Sequence, residues 1–333
     1  MNTHPKSTEI FLTKTTDPFF NIALEEWLLK QYKSENNIIF LWQNFNSIII
    51  GRNQNTHLEI NQKLVDQYNI KVARRLSGGG AVFQDAFNQC WTFIIKEARA
   101  GDYRFFATPV LAFLKEIGVD AEFFGRNDLT VQGKKISGTS QIVYGDYVLC
   151  HGTILFDVDP VMMTSVLTPN LEKLSSKGID SVRKRILNLK EVLPDWSFEQ
   201  FQAAFFQFLE KYFNTQIKEL PAEAIRFATE AAAKKFSTWE WNFGESREFE
   251  FIKKQYFANK GTITLSFNTN KNTIEQLKIH GDFLSTKELS FIELLLVGCR
   301  YDQKSVETLL EKIDLTPYLG GITKEDFIMC MFN

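Results

Sequence analysis

Three short stretches hold the residues best suited to chemistry. "RRLSGGGAVFQD" (residues 74–85) sets two arginines and a serine ahead of three consecutive glycines. Glycine weakens a strand and offers no side chain to pack, so a run of three needs another reason. Bare backbone N–H groups form concave nests that bind anions, phosphate above all. Arg74 and Arg75 could each fork onto such a phosphate or carboxylate. The other reading is a tight β-hairpin with glycines at positive φ, and the stretch alone weighs the two evenly. It is neither a P-loop, which needs G-x-x-x-x-G-K-[ST] ahead of a helix, nor G-x-G-x-x-G.

"GRNDLTVQGKKISGTSQ" (residues 125–141) carries Asn127, Asp128 and two adjacent lysines, Lys134 and Lys135. Neighbours in a strand point to opposite faces, so one lysine at most reaches a shared cleft. Asp128 offers the hard oxygen that Mg²⁺ on a nucleotide prefers; a solvated hairpin with ordinary Gly, Lys and Asp is the plainer reading. In "HGTILFDVD" (residues 151–159), His151 is either a general base or, as is commoner for a lone strand histidine, a hydrogen-bonded structural residue. Cys150 beside it suggests a Cys–His nucleophile, but adjacent strand residues face opposite ways, which argues against the pair.

These stretches need a scaffold of mixed elements. "DPFFNIALEEWLLKQY" predicts an amphipathic helix with Asp17 at the N-cap and Pro18 at the first position. "NIIFLWQ", "SIIIGR", "IKVARRL" and "CWTFIIK" read as strands around the glycines. "ATPVLAFLKEIG" predicts a helix capped by Thr108, opened by Pro109 and stopped by Gly118. "VDAEFF" and residues 128–149 predict further strands and hairpins. Ser197 and Gln200 form a capping box before Phe198, Phe201, Phe205, Phe208, Leu209 and Tyr212 on one helical face. "PAEAIRFATEAAAKKF" predicts another helix. From about residue 246 the alternation becomes that of an antiparallel meander, with helices at 287–297 and 303–313 behind it. We place a domain boundary near residues 243–248, dividing the chain into 1–245 and 246–333.

At 333 residues the chain suffices for a large domain plus a smaller one. Its 44% hydrophobic and 23% charged residues are ordinary globular material, and a net charge of −2 gives no field for nucleic acid. Four scattered cysteines without C-x-x-C spacing, with only four histidines, argue against structural zinc and for a reducing compartment. No basic-then-apolar leader opens the sequence, and no apolar run approaches the ~18 residues of a membrane span. The expectation is a soluble, cytoplasmic protein without a membrane partner, its 31 phenylalanines filling core positions.

In order, "DPFFNIALEEWLL", "GRNQNT", "RRLSGGGAVFQDAFN", "GRNDL…GKKISGTSQ", "HGTILFDVD" and "SVRKRILNL" resemble the successive motifs of lipoate–protein ligases. The resemblance spans almost the whole chain, and "IHGDFLS" with the terminal helices is similar to that family's small accessory domain. It implies an α/β fold of the α+β type, with a large, mixed, mostly antiparallel sheet and a small α+β C-terminal domain. It implies that free lipoate is activated with MgATP to lipoyl-AMP, releasing pyrophosphate, and passed to a lysine of a lipoyl-acceptor domain. That acceptor would be the glycine-cleavage H protein, acyltransferase subunits of 2-oxoacid dehydrogenases, or both.

Lys135 matches the essential lysine, in contact with the lipoyl carbonyl and the α-phosphate. Arg75, Ser77, Gly78, Gly79, Gly80, Ala81, Val82, Gly138, His151 and Gly152 match positions bordering the lipoyl and adenylate groups. Gly80, Val82, Phe83, Asn127, Asp128 and Lys135 match nucleotide positions, with Asp128 as the Mg²⁺ ligand. The apolar tail implies a slot lined by Ile, Val and Phe from flanking strands. Gln84 stands where many members have His, and Gly138-Thr139-Ser140 carries larger residues than is common. By analogy with ligation enzymes that close on their substrates, Gly244 marks a hinge about which the small domain could swing after adenylation.

Octanoyl and lipoyl amidotransferases share the fold but place a cysteine ahead of the lysine, and residues 122–132 hold none. Biotin–protein ligase fits the motif order poorly. A silent lipoate or nucleotide binder is the alternative from another class; retention of Lys135, Asn127 and Asp128 argues against it.

Overall fold

The computed structural model describes residues 7–32, 34–167, 185–244 and 249–332. Its strands, in chain order, are β1 (Thr8–Leu12), β2 (Asn37–Trp42), β3 (Ser47–Ile50), β4 (Lys71–Arg74), β5 (Val82–Gln84), β6 (Asn88–Lys96) and β7 (Ala121–Phe124). They continue as β8 (Asp128–Val131), β9 (Lys134–Tyr144), β10 (Tyr147–Leu155), β11 (Ile217–Lys218), β12 (Phe251–Phe257), β13 (Gly261–Asn270) and β14 (Thr273–Gly281). Eight form one mixed sheet in the order β11-β1-β2-β6-β10-β9-β8-β7. Its β1 contacts are parallel and the other pairs antiparallel. The expected α/β fold with a mostly antiparallel large sheet is what is found.

The run "NIIFLW" lacks polar alternation because both faces of β2 are covered. Ile39 and Leu41 point into one core, closed by helices Tyr103–Glu116 and Phe198–Phe213. Ile38, Phe40 and Trp42 point into the other, under helices Pro18–Lys30 and Ala222–Ala231. Phenylalanine fills the first core: the Phe113 ring meets Phe201, Phe205 and Phe208 at centroid distances of 5.4, 4.9 and 5.6 Å. Such pairs are each worth about 0.5–1.5 kcal/mol beyond their buried area. The Ser197–Gln200 capping box forms both reciprocal bonds, at 3.2 and 2.8 Å, and starts this helix where the sequence says.

Other details differ. The helix expected from Thr108 begins at Tyr103, where Asp102 caps the Phe105 N–H, so Pro109 lies inside it. Thr108 turns its hydroxyl back to the Arg104 carbonyl at 2.9 Å instead of capping; Gly118, at φ 81°, ends the helix as expected. Asp17 has N-cap backbone geometry, but its carboxylate pairs with Lys71 at 3.0 Å and makes no capping bond. Tyr212 lies on the exposed side of its helix.

The sheet β4-β3-β5 settles how the glycine stretch is held. β3 lies between parallel β4 and antiparallel β5, so β4 and β5 are not neighbours. Residues 75–81 cross from one edge of this sheet to the other, which overturns the tight-hairpin reading. The C-terminal meander β12-β13-β14 forms as expected, over helices Ser290–Leu296 and Gln303–Leu310. Two further helices, Thr316–Leu319 and Lys324–Phe332, follow that sequence patterning did not separate. The boundary expected at 243–248 and "SVRK" of the last motif fall largely outside the described residues. Contacts across it are direct: the Gly281 N–H donates to the Asn53 carbonyl at 2.8 Å, and Leu284 joins the first core. Among the described residues no helix is long and apolar enough to cross a membrane.

Candidate active site

A cavity of about 300 Å³ opens between the glycine stretch and strands β9 and β10. Arg75, Gly79, Gly80, Ala81, Val82 and Phe83 form one wall. Asn127, Lys135, Gly138, His151 and Gly152 form the opposite one. The sequence-predicted residues are thus brought together, except that Ser77 and Gly78 stand behind the lining and Asp128 borders it through its ion pair with Lys135. The slot is apolar where Ile49, Leu155, Met163, Leu167 and Ile186 meet. Strands supply only part of it: Met163 lies on helix Pro160–Val166 and Leu167 just past its end. Alternation on strands cannot reveal such helix-borne lining.

The three glycines have three different reasons. A Cβ on Gly78 would lie 2.7 Å from the Phe283 carbonyl oxygen, so Gly78 admits the backbone of the C-terminal segment. Gly79 has φ 90°, which side chains rarely adopt, and its Cβ would meet Arg75 Nη2 at 2.9 Å. A Cβ on Gly80 would meet nothing within 4 Å. Fold contacts therefore explain two glycines and leave the third open on the cavity.

The arginines correct the sequence reading. Arg74 is buried, and its guanidinium donates to the carbonyls of Gly51, Arg52, Gln54, Trp241 and Asn242 and to the Thr56 hydroxyl at 2.7–3.1 Å. It cements backbone and does not line the cavity. Arg75 lines it, but its N–H groups hold the loop from within: Nη2 donates to Gly78 O at 2.6 Å and Gly80 O at 2.9 Å, and Nη1 to Ile49 O at 3.1 Å. Burial pulls this guanidinium down to about 10, Glu25 opposing the shift and Arg74 adding to it. Because a trans peptide sets C=O and N–H on opposite sides, turning the Gly80 carbonyl toward Arg75 turns the Ala81 N–H away from it.

Lys135 sits at an irregularity. The β8–β9 register shifts between Leu129 and Thr130, which pair with Ser137 and Lys135, so Ile136 is extra. Such bulges re-aim side chains. Lys135 enters the cavity wall and Lys134 does not. Its Nζ lies 2.7 Å from Asp128 Oδ1, with the lysine side chain 42% exposed. The aliphatic end crosses Gly138, where a Cβ would meet Nζ at 2.8 Å and Cε at 2.9 Å. Gly152 likewise makes room for the Trp91 ring. Asn127 clamps β9: its Nδ2 donates to Thr139 O at 2.5 Å and its carbonyl accepts the Thr139 N–H at 2.9 Å.

Gln84 closes a buried amide chain: Asn21 Nδ2 donates to Asn44 Oδ1 at 2.9 Å, and Asn44 Nδ2 to Gln84 Oε1 at 2.7 Å. Glu25, fully buried one turn after Asn21, faces His151 Nδ1 at 2.8 Å. Sequence reasoning missed Asn21, Asn44 and Glu25; the available signal was two polar residues at i, i+4 on the apolar side of a helix. Cys150 and Cys90 are wholly buried, which pushes both thiols far above their ordinary range, and Glu25 adds to it.

Residues 17–210 match the lipoyl protein ligase A/B catalytic domain, and residues 246–331 the bacterial lipoate protein ligase C-terminus. The lipoate-protein ligase LplJ of Bacillus subtilis is 38% identical over 324 residues, 94% of this chain and 96% of that protein. Lipoate–protein ligase 1 of Staphylococcus aureus is 36% identical over 321 residues, covering 95% and 97%. Among solved structures, P. falciparum LipL1 in complex with lipoate superimposes with a TM-score of 0.80 at 26% identity, over 92% of this chain and 95% of that one. With this cavity, this lysine and these matches, the chain belongs to the lipoate–protein ligase family.

Proposed function

We propose that this chain is an ATP-dependent lipoate–protein ligase working in two steps. Lipoate's carboxylate attacks the α-phosphorus of ATP; the new O–P bond forms as the α–β bridge breaks and pyrophosphate leaves. The ε-amine of an acceptor lysine then attacks the lipoyl carbonyl; a C–N bond forms, AMP departs and the amine gives up a proton. One observation carries the reading: Lys135, across the cavity from the unencumbered backbone of Gly80, lines a cavity with one apolar end. Its ammonium stabilises charge on the carbonyl oxygen and α-phosphate in both steps. Preorganised donors of this kind are worth about 3–4 kcal/mol in the transition state.

Lipoate's dithiolane and chain occupy the slot of Ile49, Leu155, Met163, Leu167 and Ile186. Gly79, Gly80, Ala81, Val82, Phe83 and Asn127 border the adenylate, and Gly138, His151 and Gly152 the lipoyl group. Arg75, Ser77 and Gly78 hold the loop. No cluster of three or more metal-ligating side chains occurs among the described residues. Asp128 alone fits a magnesium ion that arrives on ATP phosphates, since Mg²⁺ commonly takes one or two carboxylates plus phosphates. Lys135 must then leave Asp128 for the substrate.

The partner is a lipoyl-acceptor domain, of the glycine-cleavage H protein or a 2-oxoacid dehydrogenase acyltransferase. The reading divides the chain into a catalytic unit, 1–245, and an accessory unit, 246–333. Four cysteines without disulfides support a reducing, cytoplasmic setting. A cysteine-thioester route does not suit Cys150, wholly buried where burial disfavours the thiolate. The test supplies lipoate, MgATP and radiolabelled pyrophosphate; label is expected in ATP. Absence of exchange, with acyl transfer from an acyl carrier protein instead, would overturn the reading.

A further inference from the structure

Behind the cavity wall, buried side chains connect helix Pro18–Lys30 to the glycine loop. Glu25 Oε1 accepts from Thr92 Oγ1 at 2.7 Å and faces His151 Nδ1 at 2.8 Å. On the other side of the ring, His151 Nε2 lies 2.6 Å from Ser77 Oγ. A carboxylate only accepts, so Nδ1 is the donor; in the neutral ring Nε2 then accepts the serine O–H. The Ser77 lone pairs remain for Arg75 Nε, at 3.2 Å, and Arg75 Nη2 holds the carbonyls of Gly78 and Gly80.

Carboxylate, imidazole and hydroxyl follow the order of a hydrolytic triad. Ser77, however, is 1% exposed and stands behind the lining, so it has no access to an acyl group. The chain runs past it to Arg75. Burying a carboxylate is costly, and apolar side chains of similar volume often serve a fold as well. Glu25 is 0% exposed, and its Oε2 has no hydrogen-bond partner among the described residues, so its burial leaves one carboxylate oxygen uncompensated.

The geometry points to Glu25 as a positioning residue for ligation, acting through His151 and Ser77 on the rotamer of Arg75. Arg75 in turn fixes which way the carbonyls and amides of the loop face the adenylate. This inference rests on the ligase reading. Glu25→Gln removes the charge at constant shape, and His151→Gln breaks the relay. Each is expected to raise the KM for ATP in pyrophosphate exchange by about tenfold, less than the roughly 10²-fold that a full 1 Å misplacement at a reacting centre can cost. A lipoyl-AMP burst without acceptor should show an unchanged number of active sites.

The double variant should be no worse than the weaker single one, and Ser77→Thr should keep what Ser77→Ala loses. Fewer active sites with wild-type KM, or losses that multiply in the double variant, would overturn the relay. Nitrogen-15 NMR of the wild type adds a test that needs no turnover: His151, identified by the signal lost in His151→Gln, should carry its proton on Nδ1. A neutral ring protonated on Nε2 would overturn the relay. Wild-type protein without exchange would instead overturn the ligase reading and leave the tautomer result to judge the relay.

Discussion

The two walls of the cavity are built on opposite plans. In the glycine loop the backbone faces the cavity, while the polar side chains of Arg75 and Ser77 turn inward to hold carbonyls and each other. In the β8–β9 hairpin the backbone is committed to a ladder, and one side chain, Lys135, is presented across a bulge. The loop therefore tolerates side-chain change only where no fold contact exists, whereas the hairpin depends on one ammonium and the space around it. A charged residue beside a glycine run can serve the run rather than the ligand.

The hairpin gives the largest expected effect. Lys135→Ala should lower kcat for adenylation by roughly 10²–10³-fold, as removal of one preorganised donor does, with an unchanged melting temperature. Steady-state exchange and a thermal melt check both; near-normal turnover would take the lysine out of the mechanism. Cys150→Ser on the next strand supplies the contrast: transfer activity should persist, and a dead but folded variant would revive the thioester route.

Gly79→Ala breaks the loop from its own side. Forcing a side chain to φ 90° against Arg75 Nη2 should cost at least about 1–2 kcal/mol of stability, together with activity. Denaturant unfolding measures the first and exchange the second. Gly80→Ala sharpens the contrast, because open space surrounds its Cβ. Its stability should stay within about 0.5 kcal/mol of wild type, while the KM for ATP rises. A Gly80→Ala protein with unchanged kinetics would mean that no ligand approaches there. Gly138→Ala tests the hairpin in the same way: the methyl displaces only the flexible end of Lys135, so kcat should fall without loss of stability.

Much of this was legible in the sequence. The hairpins around Lys135 follow from alternation and turn residues, and the Ser197 capping box from its three-residue spacing. Motif order located both cavity walls. The roles of the two arginines were not legible, since a guanidinium that forks onto phosphate forks equally well onto carbonyls supplied by segments far along the chain. Nor was the pairing of β3 with both β4 and β5, because strand runs do not announce their neighbours. Asn21 and Glu25 were hidden for a related reason: a buried polar residue looks like an interruption of an apolar face until its partners, Asn44 and His151, are seen.

The smallest effect lies away from both walls and serves as a control. Glu26 is penalised by burial, yet Lys235 at 2.7 Å and Lys30 at 2.9 Å outweigh that and hold its carboxyl below the ordinary 4.5. Its folded value is depressed, so its contribution is present above pH 4.5 and lost as pH falls through the lower folded value. Glu26→Gln should flatten the acid limb of stability by about 1 kcal/mol or less and leave exchange untouched. A change in exchange would mean that the fold and the site are not separable here.

The central claim is that one acyl-adenylate is held between the backbone of one wall and the ammonium of the other. A crystal structure with a non-hydrolysable lipoyl-adenylate analogue tests it most directly. The account predicts the phosphate against the Gly80–Ala81 backbone, the lipoyl chain in the Met163–Leu167 slot, and Lys135 Nζ moved from Asp128 to bridge the carbonyl and phosphate oxygens. An analogue bound elsewhere, or a Lys135 still paired with Asp128 while the adenylate is in place, would contradict it.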